Sequence, residues 1–461
     1  MMKHILTILA AALLLAGCSG TRNLKRPDLR LPSTIDGVSV DSLSAADVEW
    51  FQFYSDPTLS RIIAKTLENN RDLLKASARV EELRQLYGVN KLNYLPTVTG
   101  IVGATKETND YYGEKFSNDP ELSVKATVNW EIDLWGGLSQ ARRQAGAQYQ
   151  ASVETQRALQ ITLIAEAATA YFNLVALENE LDIVGRTLKS REQALEMARL
   201  RYEGGLTSEI VYQQAKVQVA TTAALIPSLN SRIAMARNAI TLLMGEYPGE
   251  SLLEVNAALN ENLIAKMPVG LPSALLERRP DLRASELRLQ AAMAGVGVAY
   301  SNQFPKLRLA VTGGWENDVV QNLFRSPFSY LLGNITGTIF DFGRNHRKYK
   351  AAIAAYDQAR LDYEKSVLTA FTEVNNAIVN YREMQQRVAR SKELRDASFS
   401  YVDLAYTQYK GGTINYIDVL DAERRYFEAQ VSLSNAVRDE YLAVVTLYKV
   451  LGGGWNTGSS N

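Results

Sequence analysis

Tyr409-Lys410-Gly411-Gly412-Thr413-Ile414-Asn415-Tyr416-Ile417-Asp418-Val419-Leu420-Asp421-Ala422 is the stretch that decides the fold. A long proline-free segment stops at Gly411-Gly412, and a second periodic segment starts a few residues later. The same arrangement stands 207 residues earlier, in Tyr202-Glu203-Gly204-Gly205-Leu206-Thr207-Ser208-Glu209-Ile210-Val211-Tyr212-Gln213-Gln214-Ala215. Tyr202 matches Tyr409, Gly204-Gly205 match Gly411-Gly412, Ile210 matches Ile417 and Ala215 matches Ala422. Glycines that end a periodic run and precede another describe a helical hairpin. Made twice, it describes an internal repeat.

The arms of each hairpin are long. No proline lies between Pro120 and Pro227, so Leu138 to Glu203 is one candidate helix, close to 100 Å in length at 1.5 Å per residue. Arg344 to Lys410 is its second copy, with Glu373 matching Glu166 and Ala377 matching Ala170. The return helices run from Ser208 toward Met244-Gly245 and from Ile417 to Leu451. Helices of this length do not fit inside one globular domain; a coiled coil or a tube houses them.

Upstream of each long helix the period changes. From Leu122 to Leu134 apolar residues alternate with polar ones without an error, which is a strand with one apolar and one polar face. At about 3.3 Å per residue it spans roughly 40 Å, enough for a tilted membrane strand. Alternation alone fits a strand of a soluble sheet equally well. Its expected partner is Thr97 to Glu107. The second half offers Lys306 to Trp315 and Leu331 to Phe342, with Asp341 matching Asp133 at an offset of 208. Before each strand pair lies a helical pattern, Leu59 to Tyr94 in the first half. Asp281-Leu282 matches Asp72-Leu73, and Pro305 matches Pro96, at an offset of 209. Four strands cannot close a barrel, which needs about eight. An open sheet in lipid leaves backbone groups unpaired. If the strands lie in a membrane, the chain must therefore oligomerise.

Composition narrows the chemistry. Lys plus Arg and Asp plus Glu are each 50, so no global field favours nucleic acid. The chain has two histidines, His4 and His346, and one cysteine, Cys18. Met1 to Gly17 has the shape of a secretory signal, with an apolar run from Ile5 to Ala16. The mature chain then has one histidine and no intrachain disulfide. No histidine or thiolate metal site, cofactor or catalytic residue is expected, and a Ser-His-Asp triad would have to use His346. Leu15-Ala16-Gly17-Cys18 has the form of a lipobox. Cys18 then carries a covalent lipid that tethers the chain to a membrane.

Taken together these stretches resemble the TolC-type outer-membrane efflux proteins, in particular the lipoprotein branch that serves resistance-nodulation-division pumps. The most specific stretch is Met267-Pro268-Val269-Gly270-Leu271-Pro272-Ser273-Ala274-Leu275-Leu276-Glu277-Arg278-Arg279-Pro280-Asp281-Leu282-Arg283. Trp130-Glu131-Ile132-Asp133-Leu134-Trp135-Gly136, the lipobox and the aromatic cluster from Trp50 to Pro57 agree with it. The resemblance implies a mainly α fold with transmembrane β. In this fold three chains share a 12-stranded barrel and a long α-helical periplasmic barrel, docked on a periplasmic adaptor and an inner-membrane pump. The expected organisation is a signal peptide over 1–17, a lipidated arm over 18–56 and a first repeat over 57–245 with its strand pair in 97–134. A linker follows over 246–271, then a second repeat over 272–451 with its strand pair in 306–342, and a polar tail over 452–461.

By the same resemblance, Asp418 and Asp421 form a ring that narrows the periplasmic end of the tunnel. As acids in a first helical turn they also suit the helix dipole, and Asp418 stands where a capping partner of Asn415 would. Their equivalents, Val211 and Gln214, show that the turn does not require acids. The turns themselves, with Arg201, Tyr202, Gly204, Gly205, Tyr409, Gly411 and Gly412, are expected to face the adaptor. Arg201 is a candidate for an ion pair there. The function expected is a passive outer-membrane exit duct for small molecules, driven by a partner pump. The alternatives are a type I secretion-like duct and a non-channel lipoprotein spanning the periplasm. An enzyme is disfavoured.

Overall fold

In the computed structural model, the residues described are 27, 56–107, 110–111, 114–115, 119–249, 278–337 and 340–453. The signal segment, Cys18 and its arm, most of the linker, and the tail beyond Gly453 lie outside them. The chain divides into two compact units. Of the described residues, those within Ala78–Val153 and Ala284–Lys365 belong to one, and those within Arg30–Ser77, Glu154–Arg283 and Ser366–Asn461 to the other.

The first unit holds the sheet. Its strands are β1 (Thr97–Glu107), β4 (Asp119–Ile132), β5 (Lys306–Asn317) and β6 (Pro327–Thr336). A short hairpin of β2 (Asp110–Tyr111) and β3 (Glu114–Lys115) joins the first two. The order is β1-β4-β5-β6, antiparallel throughout, so β1 and β6 are open edges. Register fixes the faces. Val128 lies opposite Val98 and Val311, and Val311 opposite Leu331. That face is apolar and bare: Val98, Val102, Leu331 and Ile335 are each more than 70 % exposed. The other face carries Thr127 hydrogen-bonded to Thr312 at 2.9 Å, and Glu131 held by Lys306 at 2.9 Å and Arg308 at 3.2 Å. The last strand differs from the expected Leu331–Phe342. It starts at Pro327 and stops at Thr336, because Val320–Arg325 forms a single 3-10 turn that brings the chain back early.

The helical parts of this unit adjoin the strands along the chain: the ends of α2 (Arg71–Leu92) and α6 (Pro280–Ser301), and the starts of α3 (Gly137–Glu203) and α7 (Arg344–Lys410). Asp133 accepts from the backbone N–H of Leu138 and Ser139, at 2.9 and 2.8 Å. Asp341 accepts from Gly343 and Asn345 at 2.9 and 2.8 Å. The match of these two acids is thus a pair of caps for the orphan donors of two long helices.

The second unit is helical. It contains α1 (Pro57–Asn69), the remaining parts of α2, α3, α6 and α7, and α4 (Glu209–Ala223), α5 (Leu225–Leu243) and α8 (Tyr416–Val450). Asp56 caps α1 through Thr58 and Leu59 and also accepts from the Tyr171 hydroxyl at 2.5 Å. Leu59, Ile62, Ile63, Ile164, Leu174 and Ile240 form the largest buried cluster. One window of α3 has the composition of a membrane span, but 56% of it is buried in the protein.

Two helices expected to be continuous are broken. Asn70 is extended (φ −61°, ψ 125°) and separates α1 from α2, its Oδ1 accepting from Asp72 and Leu73. The first return helix divides at Ala224. Pro227 supplies the reason: it lacks an N–H and its ring presses on the carbonyl four residues earlier, that of Ala223.

Candidate functional site

The turns that end the two long helices come together with the starts of α4 and α8 in the second unit. Ala198, Ala215, Ala405, Tyr416, Val419 and Ala422 form their buried core. Alanine at the matched positions 215 and 422 lets four helices approach closely.

Both turns have the same backbone. Gly205 donates to the Tyr202 carbonyl at 2.9 Å and Leu206 to that of Arg201 at 2.8 Å; Gly412 donates to Tyr409 and Thr413 to Gln408, each at 3.0 Å. These are Schellman closures, which need a left-handed residue. Gly205 (φ +71°) and Gly412 (φ +73°) supply it, whereas Gly204 and Gly411 do not have positive φ. The two glycines of each pair are therefore unequal. Gly412→Ala should destabilise by about 1 kcal/mol. Gly411→Ala, whose added Cβ meets only ordinary contacts at 3.5 and 3.6 Å, should be nearly neutral. Urea unfolding of the two variants checks this; equal losses would contradict it.

Arg201 is not in an ion pair with any described residue. Its guanidinium lies over the Tyr409 ring, 5.2 Å from the centroid, a cation–π contact that links the two turns. Tyr409 packs on Tyr416 at 5.4 Å, and Tyr202 stacks on Tyr212 at 5.9 Å.

Asp418 accepts from the backbone N–H of Asn415 at 3.0 Å, the reaching-back half of a capping box. Asp421 is bound on both oxygens, by Arg424 at 2.8 Å and Arg425 at 2.7 Å. Hydrogen bonds from Arg425 and Arg424 hold its carboxyl below the usual carboxylate range. Asp421 and Arg424 line a cavity of about 590 Å³ with Ile417 and Leu420, facing Ile210 and Val217 of α4.

Behind these surface groups lies a buried polar network that the sequence reading did not contain. Arg191 on α3, 7 % exposed, donates to the hydroxyl of Thr222 and lies over the Phe427 ring. Burial lowers its pKa, and Glu423 opposes that shift. The Tyr406 hydroxyl donates to Glu423. Burial, then Glu423, pushes the Tyr416 phenol up to about 12. Arg191 was detectable only as a basic residue on an otherwise buried stripe, with Ser398 at the matched position. Among the described residues no cluster of His, Cys, Asp and Glu is arranged to hold a metal.

Comparison with known proteins places this geometry. The family model described as outer membrane efflux protein matches residues 62–246 and 271–453. The toluene efflux pump outer membrane protein TtgF of Pseudomonas putida is 32% identical over 482 residues, covering 100% of this chain and 98% of that protein. The probable outer membrane lipoprotein SilC of Salmonella typhimurium is 29% identical over 469 residues, covering 99% and 100%. The solved outer-membrane channel OprN superposes with a TM-score of 0.84 at 28% identity, covering 94% of this chain and 99% of that one.

Proposed function

The chain belongs to the outer membrane efflux protein family, and from that premise we propose that three copies close one duct whose periplasmic entrance is the paired turns. It is an outer-membrane efflux protein, a passive exit for small molecules driven by an inner-membrane pump.

The observation that carries the closure is the open sheet. One face is apolar and bare, and both edges lack partners among the described residues. Lipid satisfies the face, and only another copy satisfies the edges. The contacts within one chain supply a template for those between chains. Gly297 of α6 lies against Gln140 of α3: a Cβ built on it would stand 3.3 Å from the Gln140 Cβ. Its counterpart at offset 209, Gly88 of α2, has nothing within 4 Å. The counterpart of Gln140 is Arg347, exposed at the start of α7. Gln140 and Arg347 make equivalent backbone hydrogen bonds, to Gly136 and Gly343, each at 2.9 Å. Leu86, Val89 and Leu92 around Gly88 are likewise exposed. Hence α2 of one copy receives α7 of the next, as α6 receives α3 within the chain. On this template a Gly88→Cys, Arg347→Cys pair would bring two Cβ atoms close to the spacing of a disulfide. Under mild oxidant it should give covalently linked dimers and trimers on non-reducing gels. Monomer alone, from a protein that is inserted in the membrane, would contradict this packing.

In the second unit, Leu206, Ile210 and Ile417 are each more than half exposed around the turns of Tyr202–Gly205 and Tyr409–Gly412. This apolar rim supports docking of a periplasmic adaptor there, with an inner-membrane pump of the resistance-nodulation-division type beyond it. Asp418 and Asp421 are read as the gate, three copies of each facing a common axis, and Cys18 as the lipid anchor.

A further inference from the structure

The two halves fasten their helices with the same device, but only one half extends it to the long helix. Asn70, at the entry to α2, donates from Nδ2 to the Leu243 carbonyl at the end of α5, at 3.0 Å. Its counterpart at offset 209 is Arg279, at the entry to α6. Arg279 donates from Nη1 to the Val450 carbonyl at the end of α8, at 3.2 Å. Leu243 and Val450 are themselves matched at offset 207. Both latch residues are buried, 6 % and 8 % exposed.

The difference is charge and reach. The Asn70 amide ties one return helix and caps its own. The Arg279 guanidinium also binds Asp281, at 3.1 and 2.7 Å, and Glu373 of α7 at 2.7 Å. Desolvation alone would lower the pKa of a guanidinium this buried; Asp281 and Glu373 reverse that and raise it. Glu166, the counterpart of Glu373 on α3, is exposed on the wall of a cavity of about 980 Å³ that Arg279, Asp281 and Glu373 also line, and has no ion pair with a described residue. A neutral latch therefore makes no ion pair with the first long helix, which is held at this level by apolar packing, whereas the charged latch pairs directly with the second.

We propose that Arg279 is a positioning residue for the gate: through Glu373 it sets the lean of α7, the helix that carries the acid-bearing hairpin. From Glu373 to Lys410 the helix runs about 55 Å, so one degree of lean at the pin displaces the turn by about 1 Å. The pin and the acids of Asp418 and Asp421 occur in the same half. Neither is needed to build the hairpin, because the first half builds it without them.

The test is a double-mutant cycle on gating, in planar bilayers with the purified full-length trimer. Arg279→Asn copies the latch of the first half, and Glu373→Gln keeps the size of a half-exposed side chain while removing its charge. Each should raise the frequency of opening about fivefold and leave the open-state conductance unchanged. The double variant should open no more often than either single one, because the same ion pair is lost. Multiplied effects in the double variant, or an unchanged opening frequency in Glu373→Gln, would overturn the proposal. It rests on the duct reading: an unaltered trimer that never conducts defeats both, whereas a conducting one with indifferent variants defeats this proposal alone.

Discussion

Val128→Arg should remove the protein from the outer membrane, while the same change at the next residue, Asn129→Arg, should leave it there. The two side chains are neighbours in sequence and lie on opposite faces of β4. Val128 stands between Val98 and Val311 on the apolar face. Asn129 lies on the face of Thr127 and Glu131, whose charged partners Lys306 and Arg308 would not persist in hydrocarbon. A cation on the lipid face near the bilayer centre costs about 2–4 kcal/mol per chain, and a symmetric trimer carries it three times. The lumen face is hydrated, so Asn129→Arg adds three charges to the conduit and should shift ion selectivity toward anions. The yield of heat-resistant trimer in outer-membrane fractions checks the first expectation. Equal yields for both variants would mean that the apolar face is not the lipid face.

Asp421→Ala should make the isolated trimer leaky, more so than Asp418→Ala. The resemblance makes the acid part of a ring that narrows the tunnel. Its pairing changes that picture. Each Asp421 pairs with Arg424 and Arg425 of its own helix, so removing it takes this partner from Arg425, leaves Arg424 with Glu428, and makes the entrance more positive by one charge per chain, three in a trimer. Repulsion among them then favours the open state. Asp418→Ala forfeits only a capping bond. The pKa of Asp421 is lowered by its arginines. The pairing therefore holds above the ordinary carboxylate range and is lost only as pH falls through the lowered value; closure should persist at mildly acid pH. Removing Arg424 and Arg425 together with Asp421 should reverse much of the leak. Leak that is unaffected by the arginines would return the effect to the acid alone. Unchanged conductance in Asp421→Ala would remove it from the gate.

The long helices and their ends at Glu203 and Lys410 were legible because glycine pairs follow them and no proline interrupts them. The sheet was legible in β4, whose alternation is unbroken, and less so in β6, where Phe328, Tyr330 and Leu332 put large apolar groups on the polar face. Breaks at Asn70 and Ala224 escaped notice because hydrophobic spacing continues across both. At the turns, glycine pairs showed where the chain reverses but not which glycine bears the strain. The roles of Arg201, Arg279 and Arg191 depend in part on Tyr409, Glu373 and Phe427, which lie 94 to 236 residues away and which no local pattern records. Arg424 and Arg425 stand three and four residues after Asp421 in plain view, yet a reading centred on the acids passes over them.

The central claim is that this chain forms a conducting duct, closed at its tip by the second hairpin. Current through planar bilayers containing purified trimer of the Asp418→Ala, Asp421→Ala protein tests it most directly. The account predicts long-lived ion-conducting openings that the unaltered trimer shows only rarely; a stable, membrane-inserted trimer that passes no current in either form would contradict it.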